Sequence, residues 1–339
     1  MGFNSGRNAL LRRDCGNGGC GDRISHSGRR ASRQPEAPAT QTKRRIRRKQ
    51  ILVNLGGFMK TPFVTYAARS DMGRVRRNNE DNLYCCGELM SEKVRDLPFK
   101  ISGQISAPAI FAVCDGMGGY QLGEQASLIA VRVLADFACS ILESPTHLLD
   151  ELMQRYVAAV NQAIQKATAS ESSQMGTTLA FALILCGELR AYNIGDSRIY
   201  TLDKRGLRQI SVDHTLSTIK IKSGIYTEAE ARQSKDWNKL TACLGFLDDD
   251  GNDYLCESLE PIKLTTNTRL LLCSDGLTDV LTDDSIERIL RSSKNAEQAV
   301  SNLMSDALNS GGTDNITAVV ADVALRKFSR LIHVLSKSK

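Results

Sequence analysis

Between residues 63 and 324 the chain alternates short apolar runs with longer two-faced stretches, and the two patterns predict different elements. Residues 110–114 and 268–273 are brief, apolar and bounded by turn residues, which predicts buried strands. Residues 63–68 read as a strand too. Residues 125–137 and 148–167 carry apolar positions at three- and four-residue spacing, so each predicts a helix with one core-facing stripe. Residues 284–290 and 296–308 repeat that pattern. From 175 to 210 four strand-like runs follow, at 175–186, 189–194, 198–202 and 207–210. The turns between them are so short that an antiparallel meander is expected. Residues 213–246 are polar and irregular apart from a helical piece near 228–233, an excursion of the kind that often forms a functional flap.

Charge and cysteine usage change the picture mainly at the ends. Residues 1–60 hold fourteen Lys or Arg against Asp14, Asp22 and Glu36, so the overall +6 hides a leader of +11 and a remainder of −5. The first fifty residues lack hydrophobic periodicity and cannot fill a core. Three segments are therefore expected: a disordered basic extension (1–60), one folded domain (61–325) and a basic tail (326–339). Met59-Lys-Thr-Pro leads directly into a strand and resembles a natural chain start. Cys15, Cys20 and His26 lack a second ligand pair at finger spacing, which excludes a zinc finger. Of the ten cysteines, Cys114, Cys186 and Cys273 lie in apolar runs, where a free thiol packs as a small hydrophobe. No CxxC pair, signal peptide or stretch approaching 18 apolar residues is evident. A cytoplasmic monomer without a membrane span is expected.

Candidate chemistry resides in acids at strand ends. The run Phe111-Ala-Val-Cys-Asp-Gly-Met-Gly-Gly-Tyr120 delivers Asp115 into closely spaced glycines, which let a backbone approach a ligand. Ser274-Asp275-Gly276 repeats that arrangement. Asp314 precedes the last strand, Asp196 sits at a turn tip, and Glu80-Asp81 lie between two strand signals. On an extended segment Glu80 and Asp81 point to opposite faces, so at most one binds directly unless a bulge intervenes. Strand ends of a packed sheet converge, and clustered carboxylates repel one another unless cations intervene. An all-oxygen shell favours Mg²⁺ or Mn²⁺, and two such ions can clamp a phosphoryl group.

Six ordered segments, Arg76-Arg-Asn-Asn-Glu-Asp, Asp115-Gly-Met-Gly-Gly, Met175-Gly-Thr-Thr-Leu, Gly195-Asp-Ser-Arg-Ile-Tyr, Ser274-Asp-Gly-Leu and Gly312-Thr-Asp-Asn-Ile-Thr, resemble the metal-dependent PP2C (PPM) Ser/Thr protein phosphatases of bacterial type. The resemblance implies an α+β fold, a four-layer αββα sandwich of two antiparallel sheets between helices. It implies hydrolysis of phosphoserine and phosphothreonine in proteins through a metal-bridging hydroxide, reversing the work of a Ser/Thr kinase. It further implies that Asp115 bridges two Mn²⁺ or Mg²⁺ ions, that the Gly116 carbonyl is a ligand of one, and that Asp275 and Asp314 are the remaining ligands of the first ion. Glu80 and Asp81 are expected at the second ion, largely through water, and Asp196 at a third, weaker site. Arg76 is expected to grip the substrate phosphate, as suits the fixed fork of a guanidinium. Residues 214–245 correspond to the family's flap.

The chain departs from the family where Met117 or Tyr120 stands in place of a histidine, so leaving-group protonation is expected to fall to metal-bound water. Leu240-Thr-Ala-Cys-Leu-Gly245 lacks the family's arginine. An inert phosphoprotein-binding domain is disfavoured because the acids survive. A nucleic-acid binder is disfavoured by the acidic body. A Ser-His-Asp hydrolase is disfavoured because, of the four histidines, only His214 sits in a context that could serve a nucleophile, and His214 reads as structural.

Overall fold

The computed structural model describes residues 61–118, 122–168, 174–248 and 250–326. The basic leader, the Met59 start and the C-terminal tail lie outside those residues. In chain order the elements open with β1 (Thr61–Asp71), β2 (Asn82–Cys85), β3 (Glu88–Leu89), β4 (Phe99–Ser106), β5 (Ala109–Cys114) and β6 (Gly116–Gly118). Helices α1 (Gly123–Glu143) and α2 (Leu149–Thr168) follow, then β7 (Met175–Thr177), β8 (Leu179–Leu185), β9 (Glu188–Ile194), β10 (Arg198–Asp203) and β11 (Gly206–Gln209). After α3 (Leu216–Lys222) and α4 (Glu228–Arg232) come β12 (Glu257–Ser258), β13 (Ile262–Lys263) and β14 (Thr268–Cys273). Then α5 (Asp275–Thr278), α6 (Asp283–Ser292) and α7 (Ala296–Asn309) precede β15 (Ile316–Arg326).

Two antiparallel sheets hold most of these strands. The first runs β11-β10-β14-β15-β1-β4 and the second β12-β9-β8-β5-β2-β3, with β13 also on β9; β6 and β7 form a small pair. Period-two alternation along the strands separates three cores. On β15, Val319, Ala321 and Val323 face the interior between the sheets, while Ile316, Ala318 and Val320 face α5–α7. On β5, Phe111 and Val113 face the inter-sheet core, and Ile110, Ala112 and Cys114 face α1 and α2. Three cores between four layers make the expected αββα sandwich. Phe181 and Tyr192 meet edge to face at 5.8 Å in the helix-side core, and burying such a ring contributes on the order of 2–3 kcal/mol.

Helices α6 and α7 start at side-chain caps. Asn295 accepts from the Gln298 N–H at 2.8 Å ahead of α7, and Thr282 caps α6 through Ser285. Helix α1 is long and apolar enough, by length and composition, to cross a membrane, contrary to the expectation that no stretch would be. Its Leu128, Val131, Leu134 and Ile141 are spent in the core against the second sheet.

Three further expectations change. The meander breaks at Gly195-Asp196-Ser197: β9 belongs to the second sheet and β10 to the first, so this turn carries the chain across the sandwich. Gly195 takes φ +95°, and a Cβ there would meet the Thr178 side chain. The run beginning at Met175 divides at Thr178, whose N–H leaves the ladder to donate to the Asp115 carbonyl at 2.8 Å. Cys186 is exposed at φ 53° in the β8–β9 turn, while Cys114 and Cys273 are buried as expected. Strand β4 and helix α3 were not anticipated.

Candidate metal centre

Sheet register brings the strand-end acids to one rim. Asn82 pairs with Cys114, so Asp81 enters β2 beside Asp115 leaving β5. Val113 pairs with Ala180 and Leu179 with Ile194, which carries Gly195-Asp196 to the same end. In the other sheet Arg198 pairs with Cys273 and Cys273 with Ala318, which gathers Asp196, Asp275 and Asp314. Asp71 pairs with Ile316, so the loop carrying Arg76 leaves β1 next to Asp314.

Hydrogen bonds pin this rim at its backbone. The Asp115 N–H donates to Thr178 Oγ1 at 2.9 Å, its carbonyl accepts from Thr177 Oγ1 at 2.9 Å, and Thr178 Oγ1 lies 2.7 Å from Ser197 Oγ. Gly116 donates to the Glu80 carbonyl at 3.1 Å. Asn315 ties down the approach loop: its Nδ2 donates to the Met72 and Asn78 carbonyls at 2.9 Å each, and its Oδ1 accepts from the Glu80 N–H at 2.8 Å. Ser274 donates to Asp81 Oδ2 at 2.7 Å. Met117 lies on β6, paired with Gly176; Tyr120 is outside the described residues.

Glu80 and Asp81, in the irregular stretch before β2, differ in burial. Asp81 is fully buried, whereas Glu80 is half-buried beside Asn78, whose Nδ2 reaches its Oε1 at 3.2 Å. Arg76 donates from Nη2 to Asp314 Oδ2 at 2.6 Å. His214 has a structural place: its Nδ1 accepts from the Gly195 N–H at 3.2 Å and its Nε2 lies 3.1 Å from Glu257. Beside it, Arg198 grips Asp213 through Nε and Nη2.

The rim's electrostatics are those of crowded acids. Burial, with added repulsion from Asp81 and Asp275, holds the Asp115 carboxyl well above the ordinary carboxylate range. Asp275 is pushed well up by burial and by Asp196, Asp279 and Asp314, which a hydrogen bond with Asp115 only partly offsets. Burial also lifts Asp81 and Asp196 to about 7 each, and lifts Glu80. Burial works against the Arg76 charge, but the Asp314 hydrogen bond and carboxylate outweigh it and raise its pKa.

This donor set fits hard divalent cations. It is all oxygen, and Asp81 Oδ1 is buried without a hydrogen-bond partner, a deficit that costs free energy unless a cation or donor meets it. As the side chains stand, no three His, Cys, Asp or Glu among the described residues close around a single point. Asp314 is turned to Arg76 and Asp81 to Ser274. Sequence reading missed Asp279, whose charge presses on Asp196 and Asp275. Its signal was the four-residue spacing from Asp275, which returns a side chain to the same side of a helical turn. The tying role of Asn315 was missed too, because an amide between two motif residues carries no signature of its own.

Two face-packed antiparallel sheets thus carry an acidic, all-oxygen rim with Arg76 against Asp314, a donor set suited to hard cations. Comparison narrows the class. The protein phosphatase 2C family model matches residues 99–310. A curated relative, the serine/threonine phosphatase Stp of Listeria monocytogenes, is 32% identical over 267 residues, which is 77% of this chain and 97% of that protein. The serine/threonine protein phosphatase PstP of Mycobacterium tuberculosis is 34% identical over 265 residues, 78% of this chain and 46% of that one. A crystal structure of the PstP catalytic domain with two manganese ions superposes with a TM-score of 0.63 at 33% identity, covering 78% of this chain and all of that one. The chain belongs to the protein phosphatase 2C family.

Proposed function

We propose that this chain is a metal-dependent phosphatase that removes phosphate from phosphoserine and phosphothreonine in proteins, opposing a Ser/Thr protein kinase. The observation that carries this reading is the rim itself: Asp81, Asp115, Asp196, Asp275 and Asp314 share one end of the paired sheets, with Asp81 Oδ1 buried and unpartnered. Asp115, the Gly116 carbonyl, Asp275 and Asp314 would hold one ion of an Mn²⁺ or Mg²⁺ pair. Asp115 would be shared with a second ion flanked by Glu80 and Asp81, and Asp196 would serve a third, weaker site. Such a pair, when bound, neutralises a phosphoryl group and acidifies the attacking water.

The chain's own residues supply orientation. Arg76 stands beside Asp314 with a planar fork suited to two phosphate oxygens, and gripping them would hold the phosphoryl group in line for attack. The buried Thr178–Ser197 pair keeps Asp115 and Asp196 in fixed relation. Met117 has no proton to give, so the departing alkoxide takes its proton from water. Cys85, Cys114, Cys243, Cys256 and Cys273 are buried free thiols, which suits action in the reducing cytoplasm, and the enzyme acts as a single chain.

The test is turnover of a phosphothreonine peptide with Mn²⁺ and with EDTA. Activity is expected to vanish in chelator and return with Mn²⁺ or Mg²⁺, and Asp275→Asn to lose most of the rate. Undiminished turnover in EDTA would sink the two-ion reading.

A further inference from the structure

The flap between Thr215 and Gly245 is closed at its base. There the Leu216 N–H donates to the Lys239 carbonyl and the Thr241 N–H to that of His214, each at 2.8 Å. Inside the flap Asp236 gathers Lys220 at 2.5 Å and Lys239 at 3.0 Å, and its N–H donates to Ser234 Oγ at 3.2 Å. These contacts shape a turn that displays the next two residues, Trp237 and Asn238. Both reach away from the base to one carboxylate. Trp237 Nε1 donates to Asp279 Oδ1 at 2.9 Å, and Asn238 Nδ2 donates to Asp279 Oδ2 at 2.8 Å. The Arg232 guanidinium lies 4.7 Å from the centre of the Trp237 ring and so backs the indole from within the flap.

Asp279 is no arbitrary landing point. Its N–H donates to the Asp275 carbonyl at 2.8 Å, so it moves with the rim, and its charge is felt at Asp275 and Asp196. Two donors on consecutive residues, one to each carboxylate oxygen, fix orientation as well as distance, which a single surface contact does not.

We propose that Asp279 latches the flap to the acidic rim through Trp237 and Asn238, making those two residues positioning determinants for the polypeptide around the phosphorylated residue. This rests on the phosphoprotein reading above. A small aryl phosphate meets the rim without needing the flap in place, whereas a phosphopeptide flanks it. Loosening the latch should therefore separate the two substrates.

Full-length Trp237→Phe keeps an aromatic ring for Arg232 while losing the indole N–H and the second ring, and Asn238→Ala removes the second donor without touching the ring. With Mn²⁺, each is expected to raise KM for a phosphothreonine peptide about three- to tenfold, the double variant more. The kcat/KM for p-nitrophenyl phosphate should stay within about twofold. Trp237 is the only tryptophan in the chain, so its fluorescence reads the latch without turnover. In Asn238→Ala, acrylamide should quench it more strongly than in the wild type. Unchanged quenching, or equal losses on both substrates, would overturn the latch. A wild-type chain that turns over neither substrate would overturn the phosphatase reading instead, leaving the quenching result to decide the latch.

Discussion

Around Asp115 the backbone leaves no room. A Cβ on Gly116 would run into the carbonyls of Gly123 and Glu80, one on Gly123 into the Glu80 carboxylate, and one on Gly276 into the Asn315 carbonyl. In the flap, Gly224 has nothing within 4 Å of where a Cβ would stand. The rim is held by main-chain contacts and buried hydroxyls, whereas the flap is held by polar side chains such as Asp236 and by a Thr227–Glu230 capping box. Ile219 and Ile225 of the flap are half or more exposed, and Ala231 alone among its apolar residues up to Leu240 is fully buried. A region with few buried apolar contacts opens at low free energy. The rim should thus behave as part of the global fold and the flap as a separately mobile attachment.

The sharpest way to break that contrast is Gly116→Ala. Its new methyl meets backbone rather than a rotatable side chain, so the cost sits at the upper end of the ~1–3 kcal/mol of overpacking. A fall in Tm of about 5–10 °C is expected with it, as is loss of phosphopeptide turnover by ~10²-fold or more. A thermal melt beside a rate assay checks both, and a wild-type melt would mean the rim yields more than its packing implies.

Arg76→Ala comes next. Removing a charge-assisted grip on phosphate is expected to lower kcat/KM by ~10²-fold, equivalent to ~3 kcal/mol. Mn²⁺ should still bind by calorimetry, because a guanidinium is no oxygen ligand. Arg74→Ala and Arg77→Ala are the controls, and equal small effects at all three positions would remove Arg76 from the phosphate.

A smaller effect follows from the rim's protons. Asp81 and Asp196 hold theirs up to about 7 in the fold against an ordinary 3.8. Between those values the metal-free fold binds more protons than the unfolded chain, so it loses stability as pH rises through that window. In EDTA, Tm should be higher at pH 5 than at pH 8 by at least about 3 °C, and Mn²⁺ should abolish or reverse the trend. A chelated protein equally stable at both values would contradict the crowded-acid description.

The least disturbance is expected in the flap. Thr227→Ala removes one cap worth about 1 kcal/mol locally, yet global Tm should shift by less than about 2 °C because the flap can open without the domain. Limited proteolysis, by contrast, should cut residues 220–240 faster. A large drop in global Tm would show that the flap is part of the cooperative unit after all.

Much of the rim was legible because each acid announces itself locally. Asp115 and Asp275 follow apolar runs and precede glycine, and Asp314 precedes a strand. The long helices α1, α2, α6 and α7 were legible through their stripes, although α1 runs six residues past its predicted end, whereas the short α3 and α5 were not. The crossover at Gly195-Asp196-Ser197 was not: a short turn between two strand-like runs looks the same whether the second strand pairs with the first or joins another sheet. Nor was Asp279's link to Trp237 and Asn238, which joins residues about forty positions apart.

By itself the order of apolar and polar residues determined the long helices and most of the core strands, though not β4 or α3, because periodicity and turn chemistry are local properties of the chain. It also determined the acidic inventory and, through six ordered motifs, the family. Only the tertiary structure decided that β9 and β10 part company, so that Asp196 enters the rim from one sheet and Asp275 from the other. It alone turned Arg76 onto Asp314, buried Asp81 beyond the reach of water and drew the flap to Asp279. Those outcomes depend on register and packing across the sandwich, where distances between residues are set by partners far away in the chain.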